Sequence, residues 1–100
     1  MVLEFSGEAI SWRGPAPFVF VRVPIDLSAE IKSIANRVTY GWGVIPVIAR
    51  IGKTEYKTSL FPKDGSYLVP VKVAVQKAEG VALGDAVSVY LEVVSTSGLR

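Results

Sequence analysis

The chain has 100 residues, half of them apolar, a net charge of +2, and neither cysteine nor histidine. That length supports one hydrophobic core and not two, and the even spread of apolar residues excludes a disordered segment. Without cysteine or histidine there is no disulfide framework, no thiolate nucleophile, no Ser-His or Cys-His pair, and no common transition-metal ligand.

From the N-terminus, Val2 to Trp12 alternates as a strand, with Leu3 and Phe5 on one side and Glu4, Ser6 and Glu8 on the other. Ile10 and Trp12 break the phase, so Gly7 is expected to form a bulge that re-aims the strand. Arg13-Gly-Pro-Ala-Pro is a loop by composition, and the nearly all-apolar Phe18 to Val23 suits a strand buried on both faces. Pro24 ends that strand. Asp26 or Ser28 is a suitable N-cap for an amphipathic helix carrying Leu27, Ile31, Ile34, Ala35 and Val38 at helical spacing, which Tyr40-Gly-Trp-Gly breaks.

Val44 to Ile51, Gly52-Lys53 and Thr54 to Phe61 read as a β-hairpin with a primed turn, because glycine accepts the positive φ of its first position. That register sets Arg50 opposite Glu55 and Ala49 opposite Tyr56 on the inner face. Pro62-Lys-Asp-Gly makes a second turn into the strand Tyr67–Val69. Pro70 is placed at the first position of a helix whose inner face is Val71, Ala74, Val75 and Ala78, with Gly80 as the C-cap. After the Gly84-Asp85 turn, Val87, Val89, Leu91 and Val93 alternate as a half-buried strand, and residues 95–100 form a tail.

Arg22-Val-Pro and Leu68-Val-Pro each stand at the end of a strand that leads through a helix and a glycine to another strand. As a sequence repeat this is weak, because the apolar helix positions are not in phase with the two prolines. As a repeat of element order it predicts two interleaved strand–helix–strand units with a hairpin between them. The expected fold is mainly β: a double-split β-barrel of about six strands with two short capping helices, in one domain.

The second unit resembles the swapped-hairpin module of AbrB-type transition-state regulators and antitoxins, in which a strand meets a proline, a short helix ends at glycine, and a Gly-Asp turn leads to the last strand. The whole chain is more similar to the small prokaryotic family catalogued as domain of unknown function 1905. The resembling stretches are Phe18-Val-Phe-Val-Arg-Val-Pro, Ile45-Pro-Val, Lys57-Thr-Ser-Leu-Phe-Pro, Asp64-Gly-Ser-Tyr-Leu-Val-Pro-Val-Lys, Lys77-Ala-Glu-Gly and Gly84-Asp85, covering roughly residues 3 to 94. The resemblance implies the double-split barrel capped by helices. It implies no activity, since the family has none assigned.

Between Arg50 and Lys77 the cations Arg50, Lys53, Lys57, Lys63, Lys72 and Lys77 face only Glu55 and Asp64. Lys57, with Ser59 beyond it on the same face, and Lys63, Lys72, Gln76 and Lys77 are candidates for an anion-binding face. The alternative is a solvated barrel edge on which lysines discourage strand pairing. Trp42 between two glycines, with Tyr40 and Trp12, is a candidate aromatic contact site, or else a cap over the barrel end. Asp85 and Asp64 read as turn residues.

The scattered acids supply no catalytic pair, so no enzyme activity, metal or cofactor is expected. No apolar stretch nears the roughly 20 residues of a membrane helix, and Met1–Glu8 lacks the make-up of a signal peptide; a cytoplasmic monomer is expected. The leading expectation is a small binding module for an anionic partner such as nucleic acid. A protein-interaction domain working through Trp42 is the alternative, and a small-molecule binder at the barrel mouth the third reading.

Overall fold

The computed structural model describes residues 2–12 (without the Trp12 side chain), 18–33 and 45–93. The elements are β1 (Val2–Trp12), β2 (Phe18–Arg22), α1 (Ile25–Ser33), β3 (Ile45–Ile51), β4 (Thr54–Lys63), β5 (Ser66–Val71), α2 (Val73–Glu79) and β6 (Ala86–Val93). The six strands close into a barrel in the order β1-β2-β5-β4-β3-β6, antiparallel throughout. The mainly β barrel with two short helices is the expected fold.

Two strands are long enough to serve two sheets. β1 pairs with β6 from Val2 to Glu8 and then with β2 from Ala9 to Trp12. β4 pairs with β3 from Thr54 to Leu60 and then with β5 from Phe61 to Lys63. The barrel is therefore a first sheet (the start of β1, then β6, β3 and most of β4) and a second sheet (the end of β1, then β2, β5 and the end of β4). It is split where each long strand changes partner. α2 packs on β4 and α1 on β5, so the helices cover the splits.

An internal pseudo-twofold relates the halves. In the second sheet the axis passes Arg22↔Leu68, flanked by Val21↔Val69 and by the hydrogen bond from the Val23 N–H to the Tyr67 carbonyl. In the first sheet it passes Ala49↔Leu91, flanked by Val47↔Val93 and Ile51↔Val89. That axis carries Arg22 onto Leu68 and Pro24 onto Pro70, and the helices repeat with two extra residues in the second half. The fourth residue of each, Ser28 in α1 and Gln76 in α2, donates its side chain to the carbonyl five residues back, Val23 at 3.2 Å and Val71 at 2.8 Å. Aligned on these bonds, Pro24 matches Lys72 rather than Pro70, which is why the prolines are out of phase with the helices in the sequence.

Several expectations are corrected. Gly7 forms no bulge: the β1–β6 register runs unbroken from Val2↔Glu92 to Glu8↔Ala86. Its lack of a side chain instead lets β1 cross close over the end of β2. β2 is not buried on both faces. Val19 and Val21 point inward, while Phe18 is 56 % exposed and Phe20 half-buried, because the outer face of the second sheet carries no covering layer among the described residues.

α1 starts directly after Pro24, and Ser28 is buried inside its first turn instead of capping it; its hydroxyl also accepts the Tyr67 N–H. Asp26 is not the cap either, since it too lies within the helix. Pro70 sits inside β5 opposite Phe20, and α2 begins at Val73. Of the expected inner helix face only Val75 is buried within α2; Val71 belongs to the strand, and Ala74 and Ala78 are exposed. The second turn tightens to Asp64-Gly65, both at positive φ, and leaves Pro62 and Lys63 in β4.

Other local expectations that fall on described residues hold, while the Arg13-Gly-Pro-Ala-Pro loop, the Tyr40-Gly-Trp-Gly break and Val44 lie outside them. The β3–β4 register pairs Arg50 with Glu55 and Ala49 with Tyr56, Gly52 has φ +60°, Gly80 caps α2 in the left-handed conformation, and the Asp85 carboxylate accepts the Ala82 N–H at 2.8 Å. Ile34, Ala35, Val38 and residues 95–100 lie outside the described residues.

Candidate binding surface

The outward strand positions sort by chemistry. On the first sheet they form cross-strand rows such as Glu4–Tyr90–Arg50–Glu55 and Val2–Glu92–Ile48–Lys57. The Arg50 guanidinium lies 4.6 Å from the Tyr90 ring centre, a cation–π contact along one of those rows. On the second sheet the rows are Ile10–Phe20–Pro70 and Arg22–Leu68–Phe61. No acidic residue occupies a strand position of the second sheet.

The second sheet's exterior also holds a groove. It lies where β4 leaves β5, has a volume of about 550 Å³, and is lined by Phe18, Phe20, Phe61, Pro70 and Val73, with Lys72, Gln76 and Thr58 as its polar groups. Phe18, Phe61 and Val73 are 56 %, 44 % and 60 % exposed, so a large share of this apolar surface faces water. The Phe18 and Phe20 rings are 6.5 Å apart and tilted by 48°, so neither ring lies flat on the other. At the other end of this face, Arg22 donates to the Ser66 hydroxyl at 3.1 Å, and Ser66 donates to the Lys63 carbonyl at 3.4 Å.

The groove is braced from below. Tyr56 reaches across the split, its hydroxyl donating to the Pro70 carbonyl at 2.8 Å, and the Lys72 ammonium stands 6.0 Å from the Tyr56 ring centre. Gln76 ties α2 to the end of β5 through Val71. The Glu79 carboxylate holds the far end of α2 against the β3–β4 turn, accepting the Lys53 N–H at 3.3 Å and the Thr54 hydroxyl at 2.6 Å.

Burial raises the Tyr56 phenol to about 12. Because the unfolded chain loses this proton near its ordinary value of about 10, the native state holds more protons above that pH, and stability falls as pH rises toward 12. Burial raises Tyr67 in the same direction. Urea midpoints are expected to fall by the equivalent of about 1–2 kcal/mol between pH 10 and 12. Tyr56→Phe should flatten that fall. A pH-independent midpoint in the native protein would refute the assignment.

The sequence-predicted residues are dispersed. Lys57 is exposed and Ser59 half-buried, both outward on the first sheet opposite Ile48 and Pro46. Lys63 lies at the opposite end of β4, 3.7 Å from the Asp64 carboxylate. Lys77 is exposed on α2. Lys72 and Gln76 share the groove. Tyr40 and Trp42 lie outside the described residues; Trp12 is the register partner of Phe18, and its side chain also lies outside them.

Sequence reasoning missed Phe18, Phe20, Arg22, Phe61, Pro70 and Val73 as surface residues. The usable signal was the two-residue spacing of Phe18, Phe20 and Arg22, which an all-apolar reading of β2 conceals. Among the described residues no helix is long and apolar enough to cross a membrane.

No curated protein matches the chain. A family model described as "Domain of unknown function (DUF1905)" matches residues 5–91, which takes in every described element from the body of β1 to β6. The split barrel, its two covering helices and the exposed groove therefore belong to a member of the DUF1905 family.

Proposed function

We propose that this chain is a small, non-catalytic binding module that engages an anionic partner through the exterior of the second sheet. The observation that carries this reading is the segregation of surface chemistry. Exposed phenylalanines, an apolar groove and the cations Arg22 and Lys72 share a face whose strand positions contain no acid, whereas Glu4, Glu8, Glu55 and Glu92 occupy the outward positions of the first sheet. A groove of this size, mostly apolar with a few polar groups at one side, is the usual form of a ligand site. The lysine face of the sequence reading thus moves: Lys72 and Gln76 stay within it, and Lys57 and Ser59 fall on the first sheet, on either side of the groove-lining Thr58.

The AbrB-type likeness supports the reading by fold analogy, since those modules complete a barrel from two strand–helix–strand units. They do so by dimerising. Here both units lie in one chain, which favours a monomer, and a cytoplasmic setting suits a chain without cysteine.

The test is an amide-shift titration with naphthalene-2-sulfonate, an aromatic ring bearing one negative charge. Saturable shifts are expected at Phe18, Phe20, Phe61, Lys72, Val73 and Gln76, weakened by Lys72→Glu and unchanged by Lys57→Glu. Shifts centred on Lys57 and Ser59, or no saturable response, would defeat the proposal.

A further inference from the structure

We infer that the partner of this face is single-stranded nucleic acid, with bases stacked on the exposed phenylalanines and phosphates held at the two ends by Arg22 and Lys72. The inference rests on the binding surface proposed above and names its occupant.

The first argument is the type of apolar surface. Phe18 and Phe61, both largely exposed, lie with Phe20 on one sheet exterior. A phenyl face on a β-sheet is a platform for any base, because every base has a π-face. A purely aliphatic groove would give no such preference.

The second argument is where the charges stand. Arg22 pairs with Leu68 in register, and Lys72 follows β5 four residues later. At about 3.3 Å per residue they are roughly 13 Å apart along the strand direction, with Phe20 and Pro70 between them, Phe61 in the row of Arg22 and Phe18 at the Lys72 end. Lys63, beside Arg22, is already engaged with Asp64, so the two ends rest on Arg22 and Lys72. A polyanion with apolar groups between its charges fits that alternation. A single carboxylate ligand would use one end only.

The third argument separates one strand from two. A duplex keeps its bases stacked on each other and presents phosphate edges, which a chain of net charge +2 attracts weakly. A single strand can turn its bases into the groove, where Thr58 and Gln76 add polar contacts beside the rings.

The experiment is fluorescence anisotropy with a labelled, mixed-sequence single-stranded DNA of about eight nucleotides, and with the same sequence as a duplex, between about 50 and 150 mM salt. The single strand is expected to bind at least about tenfold tighter than the duplex. Its log–log salt slope should be near −1.4, two phosphate contacts at about 0.7 each, falling by about 0.7 in Lys72→Ala. Phe61→Leu and Phe18→Leu keep apolar bulk without a π-face, and each should weaken binding about fivefold or more while leaving the melting temperature near that of the native protein. Lys57→Ala should change nothing.

Equal affinity for the duplex, or indifference to both Phe→Leu changes, would overturn the inference. If the oligonucleotide fails to bind while naphthalene-2-sulfonate binds and loses affinity in Lys72→Glu, nucleic acid is refuted and the anionic binding site stands. If neither binds, both readings fall.

Discussion

Leu91→Ala is expected to lower stability by about 3 kcal/mol, which in a domain of this size is a drop of roughly 15 °C in melting temperature. Leu91 is fully buried on β6, paired with Leu3 of β1 on one side and Ala49 of β3 on the other. Because the Ala49↔Leu91 pair lies on the pseudo-twofold, the side chain fills the place where the halves meet. The small Ala49 cannot expand into the void, so most of the cavity should persist and the cost should sit well above that of a peripheral leucine. Thermal melting checks the value. Phe61→Ala is the internal control: at 44 % exposure it should cost about 1 kcal/mol and act chiefly on binding. A Leu91→Ala loss no larger than the Phe61→Ala loss would contradict the assigned core.

Gly7→Ala is expected to destabilise by about 2 kcal/mol, although it adds a single methyl group. A Cβ there would stand 2.8 Å from a Val21 methyl and 2.9 Å from the Arg22 carbonyl oxygen. Val21 is fully buried and the Arg22 carbonyl belongs to a paired strand, so neither neighbour moves away cheaply. Alanine narrows the unfolded ensemble and returns about 0.4–1 kcal/mol, while overpacking costs about 1–3 kcal/mol, so the clash wins. Chemical denaturation measures the difference. A neutral or stabilising Gly7→Ala would show that β1 does not cross β2 this closely.

The same position shows how sequence patterns mislead where two sheets meet. Glycine in an alternating strand commonly signals a bulge, and in β1 that inference assigns a real constraint to the wrong cause. The strand changes partner after Glu8 with no extra residue; the constraint is the approach of a chain segment remote in sequence. Pro70 is a parallel case. Its fixed φ suits the first turn of a helix and also suits a strand position whose N–H makes no ladder bond, and β5 uses the second option.

Some of the protein follows from local chemistry. Period-two alternation sets β6, the Gly52-Lys53 turn sets the β3–β4 register, Gly80 stops α2, and Asp85 closes its turn, because each depends on neighbours within a few residues. The barrel itself was legible through the repeated order of strands and helices. The binding face was not. Phe18 and Phe20 are apolar residues in an apolar strand, and nothing local says that one side of that strand meets water. Only pairing of β2 with β1 and β5 turns Val19 and Val21 inward and leaves the phenylalanines outside. The lysines fail for the same reason. Lys57 and Lys72 are close in sequence, yet β4 carries Lys57 outward on the first sheet while the split carries Lys72 to the groove on the second. Strand alternation is read from neighbours; which face a residue shares with distant residues is set by the closure of the barrel.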